Sequence, residues 1–274
     1  MNQDNKIQDY DAYNSRMKKS MLDKVFFLDK VDTEAFMDFG CGDGALLDFI
    51  QHHVDPSVKL YGFDNDAEMI RKAQEKTSRI TFFKDWKDVE DWMDNSEFAA
   101  GTMLPYTLIL SSVIHEIYHY STPEQIDEFW KKVFCGKFAY ITIRDMVPSR
   151  TIARPSDIND VAKVYKKFLH HQELEDFENT WGSIENNKNL VHFLLKYRYV
   201  KPNWKREVKE NYLPLYREDL LSLLDTNDYE IIYHEHYILP HIKQLVQSDF
   251  GIELKDATHL KMILRNKKMV VYRG

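Results

Sequence analysis

Short apolar runs alternate with amphipathic stretches through the first half of the chain. AFMDF (35–39), VKLYGFD (58–64), ITFFKD (80–85), YTLILSSVI (106–114) and KFAYITIRD (137–145) are largely apolar segments of strand length. Such runs are the pattern of strands buried on both faces of a parallel sheet. Between them, ALLDFIQHH (45–53) and residues 66–76 have helical character, and Asp55-Pro56 marks a turn. Thr122-Pro123-Glu124-Gln125 opens another helix, with Thr at the N-cap, Pro at N1 and Gln at N3. Strands alternating with helices predict an α/β fold: a mostly parallel sheet with helices on both faces.

The flanks differ. Residues 5–28 read as a helix with an apolar stripe of Tyr10, Tyr13, Met17, Met21 and Leu28, so residues 1–30 form a helical cap on this reading. Residues 156–200 are mostly helical and rich in aromatic and charged side chains. YEIIYHEHYIL (229–239) and HLKMILRNKKMVVY (259–272) read as two late strands, an antiparallel pair ending the sheet. The link over 240–258 is long for a hairpin and has room for a short helix. The expected organisation is one α/β domain over 1–150 and 211–274, with 151–210 as a helical insertion placed to act as a substrate lid.

Composition narrows the class. In 274 residues, 43% hydrophobic and 30% charged is ordinary for a globular protein with a proper core. A net charge of −7 argues against a protein whose main task is wrapping nucleic acid, while leaving room for a local basic patch. Cys41 and Cys135, far apart, indicate neither a disulfide framework nor a zinc knuckle. The N-terminus lacks an apolar signal region, and no run approaches a membrane span. The expectation is a cytoplasmic protein.

The chemistry concentrates at Asp38-Phe39-Gly40-Cys41-Gly42-Asp43-Gly44, between a predicted strand and a predicted helix. Glycines there allow a tight turn and close backbone approach by a ligand, and the helix beyond supplies free N–H groups. Gly40, Gly42 and Ala45 also satisfy the small positions of a dinucleotide loop, so an NAD-dependent oxidoreductase has to be weighed. Charge decides against it: Asp38 and Asp43 are unfavourable beside a pyrophosphate, whereas a carboxylate suits a sulfonium and an ammonium group.

With these residues the chain resembles the class I, Rossmann-like S-adenosylmethionine (SAM)-dependent methyltransferases. Asp-x-Gly-x-Gly-x-Gly after the first strand is similar to their motif I. Gly62-Phe63-Asp64 ends the second strand, and the resemblance implies that Asp64, with Asn65 beside it, faces the ribose hydroxyls. It likewise implies that Asp85, followed by Trp86, contacts the adenine, and that Ser111 to His115 correspond to motif IV. The matching motifs cover 35–145. The resemblance implies SAM as cofactor and S-adenosylhomocysteine (SAH) as product, held by Asp38, Gly40, Cys41, Gly42, Gly44, Asp64, Asn65, Asp85, Trp86 and Ser111. Tyr13 is a further candidate, from the cap. Taken alone, Asp64 reads equally as a helix N-cap and Asp85 as a loop carboxylate.

His115-Glu116-Ile117-Tyr118-His119 also fits H-E-x-x-H, the zinc-peptidase signature. That motif needs both histidines one turn apart on a continuous helix. The apolar strand runs almost to His115 and a new helix opens at Thr122, which leaves little room, so no metal is expected.

Methyl transfer from a sulfonium needs orientation above all, and a base only where the acceptor loses a proton. His115, just past a strand's carboxyl end, is the first candidate base, and a loop histidine is the competing reading. Arg144 and Asp145, ending the fifth strand, are placed to face a substrate or to form a surface ion pair. The acidic chain and the aromatic insertion favour a small-molecule acceptor. The alternative is RNA, supported by KYRYVKPNWKREVK (196–209), six basic residues against one acid with aromatics between. A SAM-binding partner subunit without catalysis is the non-enzymatic reading. The sequence assigns no oligomeric state.

Overall fold

The computed structural model describes residues 20–95, 106–135, 137–199, 203–224 and 227–268. Seven strands form one sheet: β1 (Ala35–Phe39), β2 (Lys59–Phe63), β3 (Thr81–Phe83), β4 (Tyr106–Ser111), β5 (Tyr140–Met146), β6 (Tyr229–Tyr237) and β7 (His259–Asn266). Their order is β3-β2-β1-β4-β5-β7-β6. β1 pairs in parallel with β2 and β4, β2 with β3, and β4 with β5. β6 and β7 are the late antiparallel pair. Every residue of β1 and β4 is buried, as strands covered on both faces require.

The strand order fixes where a ligand can sit. From β1 the chain works outward to β3, then returns to β4 on the other side of β1. In open α/β sheets such a reversal sets the ligand site at the carboxyl ends of the two strands beside it, here β1 and β4.

Helices α1 (Met21–Lys24), α2 (Ala45–Gln51), α3 (Ala67–Lys76), α4 (Trp86–Asn95), α5 (Ile114–Tyr120) and α6 (Pro123–Val133) flank these strands in sequence. The predicted start of α6 forms as a capping box: Gln125 N–H donates to Thr122 Oγ1 (3.4 Å) and Thr122 N–H donates to Gln125 Oε1 (2.9 Å). Leu47, Ile50, Leu60, Ile109 and Ile263 lie at the centre of one buried cluster.

The described residues divide into two compact units. One holds 20–145, 221–235 and 261–268; the other holds 146–220 and 236–260. The second is helical, with α7 (Ile158–Phe168), α8 (Gln172–Trp181), α9 (Asn187–Lys196), α10 (Trp204–Glu207) and α12 (Pro240–Phe250); α11 (Arg217–Leu224) straddles the division. It has its own core, built on Val164, Phe177, Ile184, Phe193, Leu213 and Val246.

Three boundaries depart from the sequence reading. The fourth strand stops at Ser111, not at Ile114, because Ser112 takes a left-handed conformation (φ 59°) that turns the chain out of the sheet. In the predicted cap, α1 covers only Met21–Lys24 and a turn comes after it; Tyr10, Tyr13 and Met17 lie outside the described residues. β7 ends at Asn266, and 269–272 also lie outside them. The helix expected between the late strands is α12, of 11 residues. No helix among the described residues is long and apolar enough to cross a membrane.

Candidate functional site

The glycine loop leaves β1 at Asp38 and Phe39 and returns into α2 at Gly44 and Ala45. Two of its glycines do different work. Gly40 (φ 75°) is packed: a Cβ there would lie 2.7 Å from Val113 Cγ2. Gly42 (φ 53°) is open, and a Cβ there would meet nothing within 4 Å. The first seats the loop against the end of β4, and the second leaves bare backbone facing open space.

Asp64 ties the loop to β2. Its Oδ2 accepts from Gly42 N–H (2.8 Å) and its Oδ1 from Asp66 N–H (2.8 Å). The N-cap of α3 is Asp66, whose carboxylate accepts from Glu68 N–H (2.8 Å) and Met69 N–H (3.4 Å). Asp64 is therefore not the cap, and burial raises its pKa. Asp38, buried at the end of β1, has its pKa raised to about 7 by burial, with the Lys24 charge opposing and the Asp64 charge adding. Asp43 points elsewhere, forming an ion pair with Lys76 Nζ (2.5 Å). The carboxyl groups left to the loop are thus Asp38 and Asp64.

At the ends of β4 and β5 a second group assembles. Asp145 Oδ1 lies 2.6 Å from His115 Nδ1, and Asp145 Oδ2 accepts from Ile114 N–H (2.7 Å) and His115 N–H (3.4 Å). Arg144 Nε donates to Asp23 Oδ2 (2.9 Å) and Arg144 Nη1 to Ser112 Oγ (3.0 Å). Arg144 and Asp145 are both buried, so they are not the surface ion pair that sequence alone allowed. Ser111 Oγ is buried and has no hydrogen-bond partner among the described residues.

The profile of a family described as a methyltransferase domain matches residues 36–134, the stretch that holds the glycine loop, Asp64 and His115. Residues 36–134 form a SAM-dependent methyltransferase domain of the class I, Rossmann-like kind. No curated protein matches it. Among solved structures, the plantazolicin methyltransferase BpumL in complex with a triazolic desmethylPZN analog and SAH superposes with a TM-score of 0.50 at 12% identity, over 94% of this chain and 90% of that one. The methyltransferase domain of the bacterial CtHen1-C gives 0.46 at 11% identity, over 92% of this chain and 97% of that one. At these identities the likeness is one of fold.

The residues of the methyltransferase domain fit a cationic nucleoside cofactor. Asp38 offers a buried carboxyl group that a neighbouring cation would ionise, Asp64 keeps carboxylate lone pairs beyond its two backbone bonds, and Gly42 leaves the approach open. Other predicted residues sit differently. Cys41 is a buried free thiol whose pKa is pushed up by burial. Trp86 is buried against Phe39 and Phe63, at 5.2 and 5.3 Å between ring centroids, as part of the core. Asn65 and Asp85 are exposed. Tyr13 lies outside the described residues.

Sequence reading missed Asp23 and Lys24. Asp23 receives Arg144 and also Lys261 Nζ (2.7 Å). Lys24 is buried, and its pKa falls to about 8 through burial and the Arg144 charge, against the pull of Asp38, Asp145 and Glu116. Nothing in one sequence marks either residue, because a Lys beside an Asp on a short helix ordinarily faces water.

The zinc-motif reading also changes in detail. Since β4 ends early, His115 and His119 do share a helix, the seven-residue α5. His115 Nδ1 is held by Asp145, and the His119 ring packs on Tyr120 at 4.3 Å. Among the described residues, no group of three ligating side chains contains both histidines.

In the helical unit, part of the basic and aromatic stretch is buried, while Arg198, Lys205 and Lys209 are exposed. Lys196 is fully buried; its Nζ donates to the carbonyls of Glu207 and Glu210 and lies 4.4 Å from the Tyr212 ring centre. Arg206 pairs with Glu207 (3.4 Å) and Glu210 (3.5 Å). Trp204 donates to Asp176 (3.2 Å), and Tyr197 Oη donates to Asp249 (2.7 Å).

Proposed function

We propose that this methyltransferase acts on a small-molecule acceptor that loses a proton as it is methylated, with His115 as the base. The observation that carries this reading is the buried 2.6 Å contact between His115 Nδ1 and Asp145 at the carboxyl end of the sheet. An ionised Asp145 accepts the Nδ1 proton, which makes Nε2 the ring nitrogen that exchanges a proton with an acceptor. As the acceptor–methyl bond forms and the carbon–sulfur bond breaks, the acceptor's proton passes to Nε2.

SAM, when bound, supplies a methyl group already activated on a sulfonium. The chain's own residues then bind and orient it. Asp38 offers its carboxylate to the cationic end, and Asp64, beside Gly42, is placed to receive the ribose hydroxyls. Ser111 Oγ, buried without a partner among the described residues, is a further candidate contact. The free thiols Cys41 and Cys135 suit a cytoplasmic setting.

Burial of Tyr197, Trp204 and Lys196 takes three of the groups that supported an RNA acceptor out of reach of a base or phosphate, while Arg198, Lys205 and Lys209 stay exposed. The test is transfer of a radiolabelled methyl group from SAM to a panel of phenols, alcohols and amides, beside bulk tRNA. Labelled small molecules, with the signal lost in His115→Ala, support the reading. Label appearing only in tRNA, or turnover indifferent to His115→Ala, rejects it.

A further inference from the structure

Ser112 is the one residue other than glycine with a positive φ among the described residues, at 59°. Strain of this kind persists only where the surroundings hold it, and it collects at functional sites. Ser112 lies between the last residue of β4 and Val113, the N-cap of α5. The turn therefore sets the course of two neighbours: Val113 fills the space above Gly40, and α5 carries His115.

One residue holds this turn from two sides. Ser112 N–H donates to Arg144 O (2.8 Å), and Ser112 Oγ accepts from Arg144 Nη1 (3.0 Å). The guanidinium is aimed in turn by Asp23, whose Oδ2 accepts from Nε at 2.9 Å and lies 2.8 Å from Nη2 as an ion-pair contact. The Arg144 side chain is only 6% exposed, so a solvated alternative is not open to it. Lys261 Nζ, 2.7 Å from the other Asp23 oxygen, fixes the carboxylate.

We propose that Asp23 is a positioning residue for methyl transfer: through Arg144 it holds Ser112 in its left-handed turn, and so seats Val113 against the glycine loop and His115 beyond it. The proposal rests on the reading of this loop as the SAM site. Arg144 acts here by orientation.

The experiment is a double-mutant cycle, Asp23→Asn with Ser112→Gly, read by SAH calorimetry and by thermal unfolding. Asp23→Asn is expected to weaken SAH binding about tenfold and to lower Tm by several degrees. Ser112→Gly alone stays near the original chain, because relief of the positive φ offsets the loss of the Oγ bond to Arg144 Nη1. In the double variant, Ser112→Gly returns most of both losses. A purely structural role for Asp23 in docking α1 would not be repaired by a glycine in another element. The proposal falls if Asp23→Asn changes neither quantity, or if its losses are undiminished by Ser112→Gly. Should Asp23→Asn fail to fold, Asp23→Glu, which keeps the charge and displaces the carboxylate, takes its place in the same cycle, and losses undiminished by Ser112→Gly overturn the clamp. Absence of SAH binding in the unmutated chain would reject the cofactor-site reading instead, with the Tm cycle still judging the clamp.

Discussion

His115 Nδ1 and Asp145 Oδ1 lie 2.6 Å apart, with side chains 6% and 0% exposed. The carboxylate is itself pinned by two backbone N–H groups, so the imidazole is oriented by a partner that cannot swing away. Asp145→Asn should therefore lower turnover by about 10²–10⁴-fold, since an amide can present its NH₂ group to Nδ1 and select the opposite tautomer. SAH affinity should change little. Nitrogen-15 shifts of the His115 ring check this directly: a proton on Nδ1 in the original chain, and its loss in the variant.

Gly40 and Gly42 predict different failures. Gly40→Ala meets both a positive φ and a 2.7 Å overlap with Val113, each costing about 1–3 kcal/mol. Thermal unfolding should show Tm down by about 5–10 °C. Gly42→Ala has only the backbone strain, so its Tm should fall by about 2–4 °C. Its methyl group projects into the open approach, so SAH binding should suffer more than stability does.

The pH dependence arises from two buried groups. Asp38 is raised from 3.8 to about 7 by burial, against Lys24 and with Asp64. The native state then holds a proton that the unfolded chain has released, so this contribution to stability falls as pH rises through that interval. Lys24 is lowered from 10.5 to about 8 by burial and Arg144, with Asp38, Asp145 and Glu116 opposing. Its contribution rises with pH from about 8 upward, because the unfolded chain then binds the extra proton. Together they place their least favourable joint contribution near pH 7–8 in the ligand-free protein. A cation beside Asp38 favours its ionised form, so SAM binding below pH 7 should release a proton. Calorimetry at about pH 6.5 in buffers of different ionisation enthalpy measures that proton; its absence would remove Asp38 from the cofactor site.

Much of this site was legible because its signals are local. β1 matches its apolar run residue for residue, the capping box of α6 forms from the four residues that announced it, and the glycine loop lies where its spacing put it. What escaped depends on tertiary contacts. The apolar run through Ile114 hides the end of β4, since the break comes from a left-handed serine held by Arg144. Asp23 and Lys24 carry no signal of their own until Arg144, Lys261 and Asp38 are brought around them. The basic stretch left an RNA acceptor open as an alternative because composition does not reveal that Lys196, Tyr197 and Trp204 are buried while Arg198, Lys205 and Lys209 are exposed.

The central claim is that the loop from Asp38 to Gly44, with Asp64, binds SAM. Calorimetric titration of the chelator-treated protein with SAM and SAH, with NAD and zinc as controls, tests it most directly when repeated with Asp64→Ala. The account predicts saturable binding of both SAM-type ligands, weakened about 10–100-fold by loss of a carboxylate that receives charged hydrogen bonds. Binding of NAD or stoichiometric zinc in their place, or SAM binding indifferent to Asp64, would contradict it.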